Sequence, residues 1–572
     1  MPIHNTEIAD LFEELADLLE IESATPFRVR AYRTAARTIR AARSMTELLA
    51  EGEDLSSLPG IGEDLAEKIA TIVTTGKLPL LEEVRARTPA ALSELMRIEG
   101  LGPKRVKQLY SELGIRSFED LRRAVESGRV RELKGFGAKT EQLISQRLER
   151  ATRAEQRMKL RDAGEIADSL LRHLRKVEGV AEVTAAGSYR RRRDTVGDLD
   201  ILASATRGAR VMAAFVGYED VAEVVSQGST RSTVRLRNGV QVDLRVVPRV
   251  SYGAALHYFT GSKAHNIAVR TLAMKRKLKI NEYGVFRGEK RIAGRTEQEV
   301  FKSVGLPLIP PELREDRGEI EAALRGRLPK LIEREDLRGD LHCHTNATDG
   351  RASLEDMVEA ARNRGYEYLS INDHSRHVTV ARGLDEKRLS AQLRTIDRLN
   401  ARLDGIVILK SIELDILEDG SLDLPDRILR ELDFTVCAVH YALGLPRRKQ
   451  TERILRAMDN RYFTVLAHPT GRLINEREPC EIDLERIIEA ARERGCLLEL
   501  NAQPDRLDLD DQACKLAKEL GVGIVISTDA HSPADLDLMR FGIDQARRGW
   551  LVPRDVANTR PLEELRKLLA RA

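Results

Sequence analysis

The sequence predicts a multidomain chain with a helical N-terminal region, an α+β middle and a C-terminal α/β barrel. Three observations carry this. A turn of the form apolar-x-Gly-apolar-Gly recurs three times before residue 140, each time opening a helical pattern. Asp198 and Asp200 run into an apolar, strand-like stretch, and a hairpin signal follows at Asn238-Gly239. From residue 336 onward, apolar β-type runs alternate with charged helical patterns, as repeated βα units do in a parallel sheet. At 572 residues the chain is long enough for several domains, and 42% hydrophobic residues suffice for packed cores.

The net charge of +3 hides an asymmetry. Residues 1–330 carry 57 basic and 47 acidic residues, whereas residues 331–572 carry 37 and 44. A basic front suits a polyanionic partner and an acidic back suits metal ions. All five cysteines lie after residue 340 with no Cys-x-x-Cys, which suits reduced thiols and a cytoplasmic protein. No apolar run reaches the length of a membrane span, and no signal peptide is visible, so no membrane partner is expected.

The first element is the repeated turn: Leu58-Pro59-Gly60-Ile61-Gly62, Ile98-Glu99-Gly100-Leu101-Gly102 and Leu133-Lys134-Gly135-Phe136-Gly137. Its glycines let backbone amides point outward together, and the following helix adds partial positive charge. Such a turn holds a DNA phosphate without reading sequence, and Lys104 adds a cation at the second one. A single copy could equally be an ordinary helix–helix connection; repetition favours DNA binding. The pattern resembles the helix-hairpin-helix motif.

In the middle region, Gly187-Ser188 is followed by four arginines, Arg190 to Arg193, and then by Asp198 and Asp200. On a strand, residues two apart face the same side, so both carboxylates project together. Two such ligands suit a pair of Mg²⁺ ions, and the turn, hydroxyl and guanidinium groups suit a triphosphate. The alternative is a solvated arginine run beside a capping Asp. Asp243, a lone charge in the apolar stretch Val240–Leu244, favours the site, because a buried charge must be paired or metal-bound. Three carboxylates on neighbouring strands form a two-metal site, with one ion activating the attacking oxygen and the other steadying the leaving pyrophosphate.

The C-terminal region places a ligand-type residue at or just beyond nearly every apolar run. They are His342 and His344, Asp349, His374, Glu413, His440, His468, Asp529 and His531. Active sites of βα barrels lie at the C-terminal strand ends, so these side chains should converge. Seven of the eleven histidines fall in this region. Any one alone is more often structural than a ligand, but the set offers sites for two or three Zn²⁺, Mn²⁺ or Fe ions, which activate water against phosphate esters.

Taken together, the motifs resemble the family X DNA polymerases, the family of DNA polymerase beta, in the bacterial form with a C-terminal PHP (polymerase and histidinol phosphatase) domain. The family's Gly-Ser turn and Asp-x-Asp match Gly187, Ser188, Arg191, Asp198 and Asp200, and its third aspartate matches Asp243. Tyr258-Phe259-Thr260-Gly261-Ser262 through Asn266, with Arg270 a helical turn later, resembles its nucleotide-binding segment. The resemblance implies that Tyr258, Phe259 and Gly261 contact the sugar, that Asn266 and Arg270 meet the base and minor groove, and that Arg157 binds triphosphate by its spacing. Lys263 departs from the animal enzyme, which is acidic there. Lys68 falls where the animal enzyme has a Schiff-base lyase lysine. However, Phe27, Ser56 and Asp64 replace its His or Lys neighbours, so Lys68 reads either as a nucleophile or as a solvated helix lysine. All nine PHP ligand positions are filled.

The implied architecture is a lyase-like DNA-binding helical domain (1–80), a helix-hairpin-helix fingers-type subdomain (81–150), a nucleotidyltransferase palm (151–250), a nucleotide-selection subdomain (251–315), a linker (316–335) and a PHP domain with a distorted TIM-like barrel (336–572). The implied function is template-directed gap-filling DNA repair synthesis with Mg²⁺ or Mn²⁺, using dNTPs on gapped or primer-template DNA bearing a 5′-phosphate. To this the PHP domain adds a metal-dependent 3′–5′ exonuclease and an AP endonuclease. A monomer associated with the bacterial nucleoid is expected. The rivals are a template-independent nucleotidyltransferase, which lacks the repeated turns and the Tyr258–Asn266 segment; a PHP small-molecule phosphatase with an inactive front half; and a non-catalytic DNA scaffold. Intact Asp198, Asp200 and Asp243 oppose the second, and two complete metal sets oppose the third.

Overall fold

The computed structural model describes residues 5–22, 24–41, 45–58, 60–89, 92–96, 101–138, 140–145 and 157–570. The chain divides into two compact units, residues 1–156 and 157–572.

The first unit is helical. Helix α1 (Asn5–Ile21) buries Ile8, Phe12, Leu15 and Leu19, a stripe at helical spacing. It packs on α2 (Pro26–Ala41), where Tyr32 meets Phe12 with ring centroids 5.7 Å apart. The first glycine turn leads into α3 (Glu63–Thr75) with Gly62 as its N-cap, and the second leads into α4 (Pro103–Leu113), capped by Gly102 with Pro103 at the first helical position. Gly60 and Gly135 have φ of +78° and +89°, which only glycine adopts freely. The third turn is followed by helical residues 140–145. Gly100 lies outside the described residues.

The second unit opens with α5 (Leu160–Arg175), whose Ala163, Ala167, Leu170 and Leu174 form a fully buried face. It covers a five-stranded sheet built from β1 (Val180–Ala185), β2 (Leu199–Ala205), β3 (Val221–Gln227), β4 (Arg231–Leu236) and β5 (Gln241–Val247). The order is β1-β2-β5-β4-β3. β2 and β5 run parallel, and the other neighbours are antiparallel. The Asn238-Gly239 hairpin joins β4 to β5, with Gly239 at φ +87°. Helices α6 (Tyr252–Thr260) and α7 (Lys263–Lys275) follow, then a three-stranded meander over residues 279–293.

The stretch 316–335, read above as a linker, is folded in. It includes the helix Glu319–Leu324, and its Ile320, Ala323 and Leu331 are buried in one core with Phe301 and Leu313.

Beyond it lie eight parallel strands: β6 (Gly339–Asp340), β7 (Tyr368–Ile371), β8 (Val407–Lys410), β9 (Glu413–Asp415), β10 (Val436–Ala438), β11 (Val465–Leu466), β12 (Leu497–Asn501) and β13 (Ile524–Ser527). They form two sheets, β6-β7-β8 and β9-β10-β11-β12-β13. Single parallel bridges, Cys343–Ala530 and His374–Glu413, tie one sheet to the other at both ends. Tyr368, Leu409, Val436, Val465, Leu497 and Val525 gather in one buried cluster closed by Leu565 and Leu569. Residues of the other parity, such as Leu369, Ile408 and Leu498, pack outward against helices. Among the described residues, no helix is long and apolar enough to cross a membrane.

Candidate active sites

β2 and β5 place Asp200 directly opposite Asp243 in parallel register, with Asp198 two residues upstream of Asp200. Burial, then the charges of Asp198 and Asp243, pushes Asp200 up to about 7. Burial and Asp243 likewise raise Asp198. Asp243 accepts hydrogen bonds from Thr233 Oγ1 (2.5 Å), Gln241 Nε2 (3.0 Å) and Arg231 (3.2 Å). Hard oxygen donors that repel one another in a buried site fit divalent cations, whose charge would relieve the repulsion.

The turn Gly187–Arg190 abuts these carboxylates. Ala186 N–H donates to the Asp200 carbonyl at 2.7 Å, and Gly187 has φ +61°. A Cβ at residue 187 would run into the Asp200 carboxylate. The arginines of the run are not equivalent. Arg190 is spent on Glu297, to which the fully buried Arg314 also donates. Arg191 donates to Glu315 (3.0 Å) and to the Thr260 carbonyl (2.6 Å). Among the described residues Arg157 pairs with no carboxylate; it donates to Thr195 Oγ1 and the Thr195 carbonyl. Its neighbour Arg193, part of the run but not singled out from sequence, lies 3.8 Å from Glu315.

Tyr258, Phe259, Gly261, Asn266 and Arg270 line the α6–α7 junction. Asn266 Nδ2 donates to the Tyr258 carbonyl at 2.7 Å, while its buried Oδ1 has no partner among the described residues. Arg270 lies 5.9 Å from the Tyr258 ring centroid, and Arg245 stacks on Phe259 at 4.3 Å. Gly261, at φ +68°, ends α6 beside Arg191.

In the first unit, Gly62, Gly102 and Lys104 sit exposed at helix starts. Phe136, between Gly135 and Gly137, is buried with the Arg105 guanidinium over its ring at 5.5 Å. Lys68 pairs with Asp64, so its partner is a carboxylate rather than the cation that Schiff-base chemistry calls for.

In the C-terminal region all nine expected residues converge. His344, Asp349, His374 and His531 form one group, His342, His344 and Asp529 a second, and His374, Glu413 and His440 a third; within each group the ligand atoms lie within 4.8 Å of one another. His468 Nε2 joins them 3.0 Å from Glu413. The three palm aspartates form no group that tight. His468 and Asp529 take φ of +27° and +51°, strained values of the kind that cluster at functional sites. Burial pulls His374, His440 and His531 down, but the surrounding carboxylates outweigh it and hold them at about 10, 9 and 9. Burial raises Glu413 and Asp529, and the imidazoles around them bring both well below the ordinary range. Protons here stand where cations would, and imidazole with carboxylate is a donor set suited to Zn²⁺, Mn²⁺ or Fe.

Further carboxylates orient the residues of the cluster. Glu499 Oε1 lies 2.7 Å from His342 Nδ1, and Asp415 Oδ1 lies 2.9 Å from His440 Nδ1. Asp373 accepts from Thr345 and Thr348 and so fixes the loop carrying Asp349. Glu499 and Asp415 were not singled out from sequence as site residues. Glu499 was marked, as Asp243 was, by being a charge inside an apolar strand.

Family models match four segments: a helix-hairpin-helix domain at residues 3–78, a SAM-like helix-hairpin-helix tandem at 92–150, the DNA polymerase beta palm at 157–233 and the DNA polymerase beta thumb at 255–315. The DNA polymerase/3′-5′ exonuclease PolX of Bacillus subtilis (strain 168) is 38% identical over 575 residues, covering 100% of both chains. The chain belongs to the PolX family of DNA polymerases. Two probable phosphatases match the part that holds the histidine cluster. That of Caldanaerobacter subterraneus subsp. tengcongensis is 30% identical over 204 residues (34% of this chain, 75% of the relative). That of Acetivibrio thermocellus is 30% identical over 201 residues (34% and 78%). The DNA polymerase beta palm match contains Gly187, Ser188, Asp198 and Asp200, and the thumb match contains Tyr258 through Arg270.

Proposed function

We propose that this PolX chain is a template-directed DNA polymerase that fills short gaps, joined to a PHP-type 3′–5′ exonuclease that also incises abasic sites. The observation that carries it is the pairing of Asp200 with Asp243 beside the Gly187 turn, in a chain that also holds a separate nine-residue histidine–carboxylate cluster. Asp198, Asp200 and Asp243 are the ligands for Mg²⁺ or Mn²⁺ in the palm. Bound there, the ions offset the charge of the triphosphate and of the attacking 3′-oxygen. Ser188, the backbone amides after Gly187, Arg157 and Arg191 hold the triphosphate. Tyr258, Phe259, Gly261, Asn266 and Arg270 shape the nucleotide's pocket, the Asn266 Oδ1 being an acceptor suited to a base or sugar edge.

In the PHP region, His342, His344, Asp349, His374, Glu413, His440, His468, Asp529 and His531 hold two or three ions of Mn, Zn or Fe, which supply a Lewis acid and an activated water for phosphodiester hydrolysis. Glu499 and Asp415 fix the imidazole tautomers. The glycine turns around Gly60, Gly62, Gly100, Gly102, Lys104, Gly135 and Gly137 hold DNA phosphates, and a 5′-phosphate at a gap is the preferred end. The segments given above are the working domain boundaries, except that 316–335 packs with the nucleotide-selection subdomain instead of linking it to the next. The protein acts as a cytoplasmic monomer at the nucleoid. Lys68, tied to Asp64, takes no part in extension.

The test is a 5′-phosphorylated gapped primer-template with Mn²⁺, with and without dNTPs. Extension with dNTPs and shortening from the 3′ end without them are expected. Extension independent of the template base would favour the template-independent transferase. Phosphate release from small monoesters without action on DNA would favour the phosphatase.

A further inference from the structure

Helix α8 (Met539–Arg548), from the part of the chain that carries the histidine cluster, lies against the back of the Gly187–Arg193 turn. Two of its residues, one helical turn apart and hence on one face, meet that turn. Arg548 donates to the Arg191 carbonyl at 2.7 Å and to Glu315 Oε1 at 3.1 Å. Asp544 lies 3.5 Å from the Arg192 guanidinium. Arg548 is 3% exposed and anchored from behind by Asp511 at 2.6 Å, which Arg317 also holds at 2.6 Å. Glu315 in turn accepts from the Arg191 side chain at 3.0 Å. Arg548 therefore grips both ends of Arg191: its carbonyl directly and its guanidinium through Glu315.

The turn needs such support. Gly187 and Arg192 have φ of +61° and +58°, and the latter is a left-handed conformation that a non-glycine residue holds only when its surroundings enforce it. Arg192 is held by Asp544 on one side and by its own stacking on Tyr189 at 5.5 Å on the other. The contact is part of a broad join, since Phe541, Ile474 and Leu507 are buried in the same core as α5 and β2. Arg472 pairs with Asp194 at 3.2 Å, and Lys159 with Asp505 at 2.6 Å.

We infer that α8 positions the triphosphate-binding turn, so that the C-terminal region sets nucleotide affinity in the extension reaction although it touches no nucleotide. Arg548 is the positioning residue and Asp544 its accessory. The inference rests on the polymerase reading above.

Its test is single-nucleotide extension by the full-length protein on gapped DNA, with KM for dNTP and kcat measured separately, alongside 3′-end shortening in the same preparations. Arg548→Lys keeps the charge but loses the two-pronged geometry. Its KM for dNTP should rise about tenfold, the worth of one charge-assisted hydrogen bond, with kcat and shortening little changed. Asp544→Asn should raise KM less and in the same direction, and it serves if Arg548→Lys folds poorly. Arg547→Lys, the neighbour that donates to Glu312 and the Ile332 carbonyl, should leave KM unchanged. An unchanged KM in both folded Arg548 and Asp544 variants, or an equal rise in Arg547→Lys, overturns the inference while leaving the polymerase reading intact. Failure of the unaltered protein to extend at all sinks both.

Discussion

Asp200 and Asp243 stand side by side on parallel strands, and Gly187 closes over the former so tightly that no side chain fits between. A carboxylate pushed up to about 7 is one that the fold charges only at a cost. Asp200 therefore weakens the metal-free protein as pH rises from its unfolded pKa near 4 toward 7, by on the order of a few kcal/mol at neutrality. Asp200→Asn should raise Tm in EDTA at pH 8 and narrow the stabilisation gained from Mg²⁺, while extension falls about a thousandfold. A variant that extends normally, or one that is less stable without metal, would contradict the assignment.

Gly187→Ala combines two penalties. A left-handed φ costs a non-glycine residue about 1–3 kcal/mol, and the added methyl meets the Asp200 carboxylate. Extension should be lost and Tm lowered by several degrees, with 3′-end shortening retained. Steady-state extension and a melting curve on one preparation check it.

In the histidine cluster, the carboxylates hold His374, His440 and His531 at about 10, 9 and 9, above the ordinary 6.5. Raised imidazoles stabilise the metal-free fold fully below pH 6.5, and that contribution disappears as pH climbs to 9–10. Melting in EDTA should therefore move to lower temperature between pH 7 and pH 10. Saturating Mn²⁺ should flatten the decline, because ligated imidazoles are already neutral, and Mn²⁺ affinity should weaken toward acid as protons compete. A pH-independent Tm in EDTA would contradict this.

Glu499→Gln removes the carboxylate that orients His342 and also receives the Ser527 hydroxyl at 2.6 Å and the His468 amide at 2.6 Å. Metal affinity should fall about 10–100-fold, with shortening lost at limiting Mn²⁺ and recovered at high Mn²⁺. Elemental analysis after dialysis against a metal buffer reads it directly.

Much of both sites was legible because burying a charge is costly. Asp198, Asp200 and Asp243 stood out as carboxylates in apolar strands, and the nine PHP residues as polar groups closing successive β-type runs. Glu499 and Asp415 carried the same signal. What had no local signal was pairing at a distance. The sequence offers four adjacent arginines alike, and only the fold spends Arg190 on Glu297, 107 residues away, and Arg191 on Glu315, 124 away. Likewise an apolar face on α8 says that Phe541 is buried, not that it is buried against the palm. The region 303–338 is rich in Pro and charge and reads as a linker by composition, yet placing Ile320, Ala323 and Leu331 in a neighbouring core needs only a few apolar side chains.

The proposed function requires two metal sites in one chain to do separate work on DNA. The direct test is one assay on a gapped primer-template with Mn²⁺, comparing Asp198→Asn/Asp200→Asn with His342→Ala/His344→Ala. The first should lose extension and keep 3′-end shortening; the second should lose shortening and bound metal and keep extension. Loss of both activities in either folded variant, or retention of extension in the first, would contradict it.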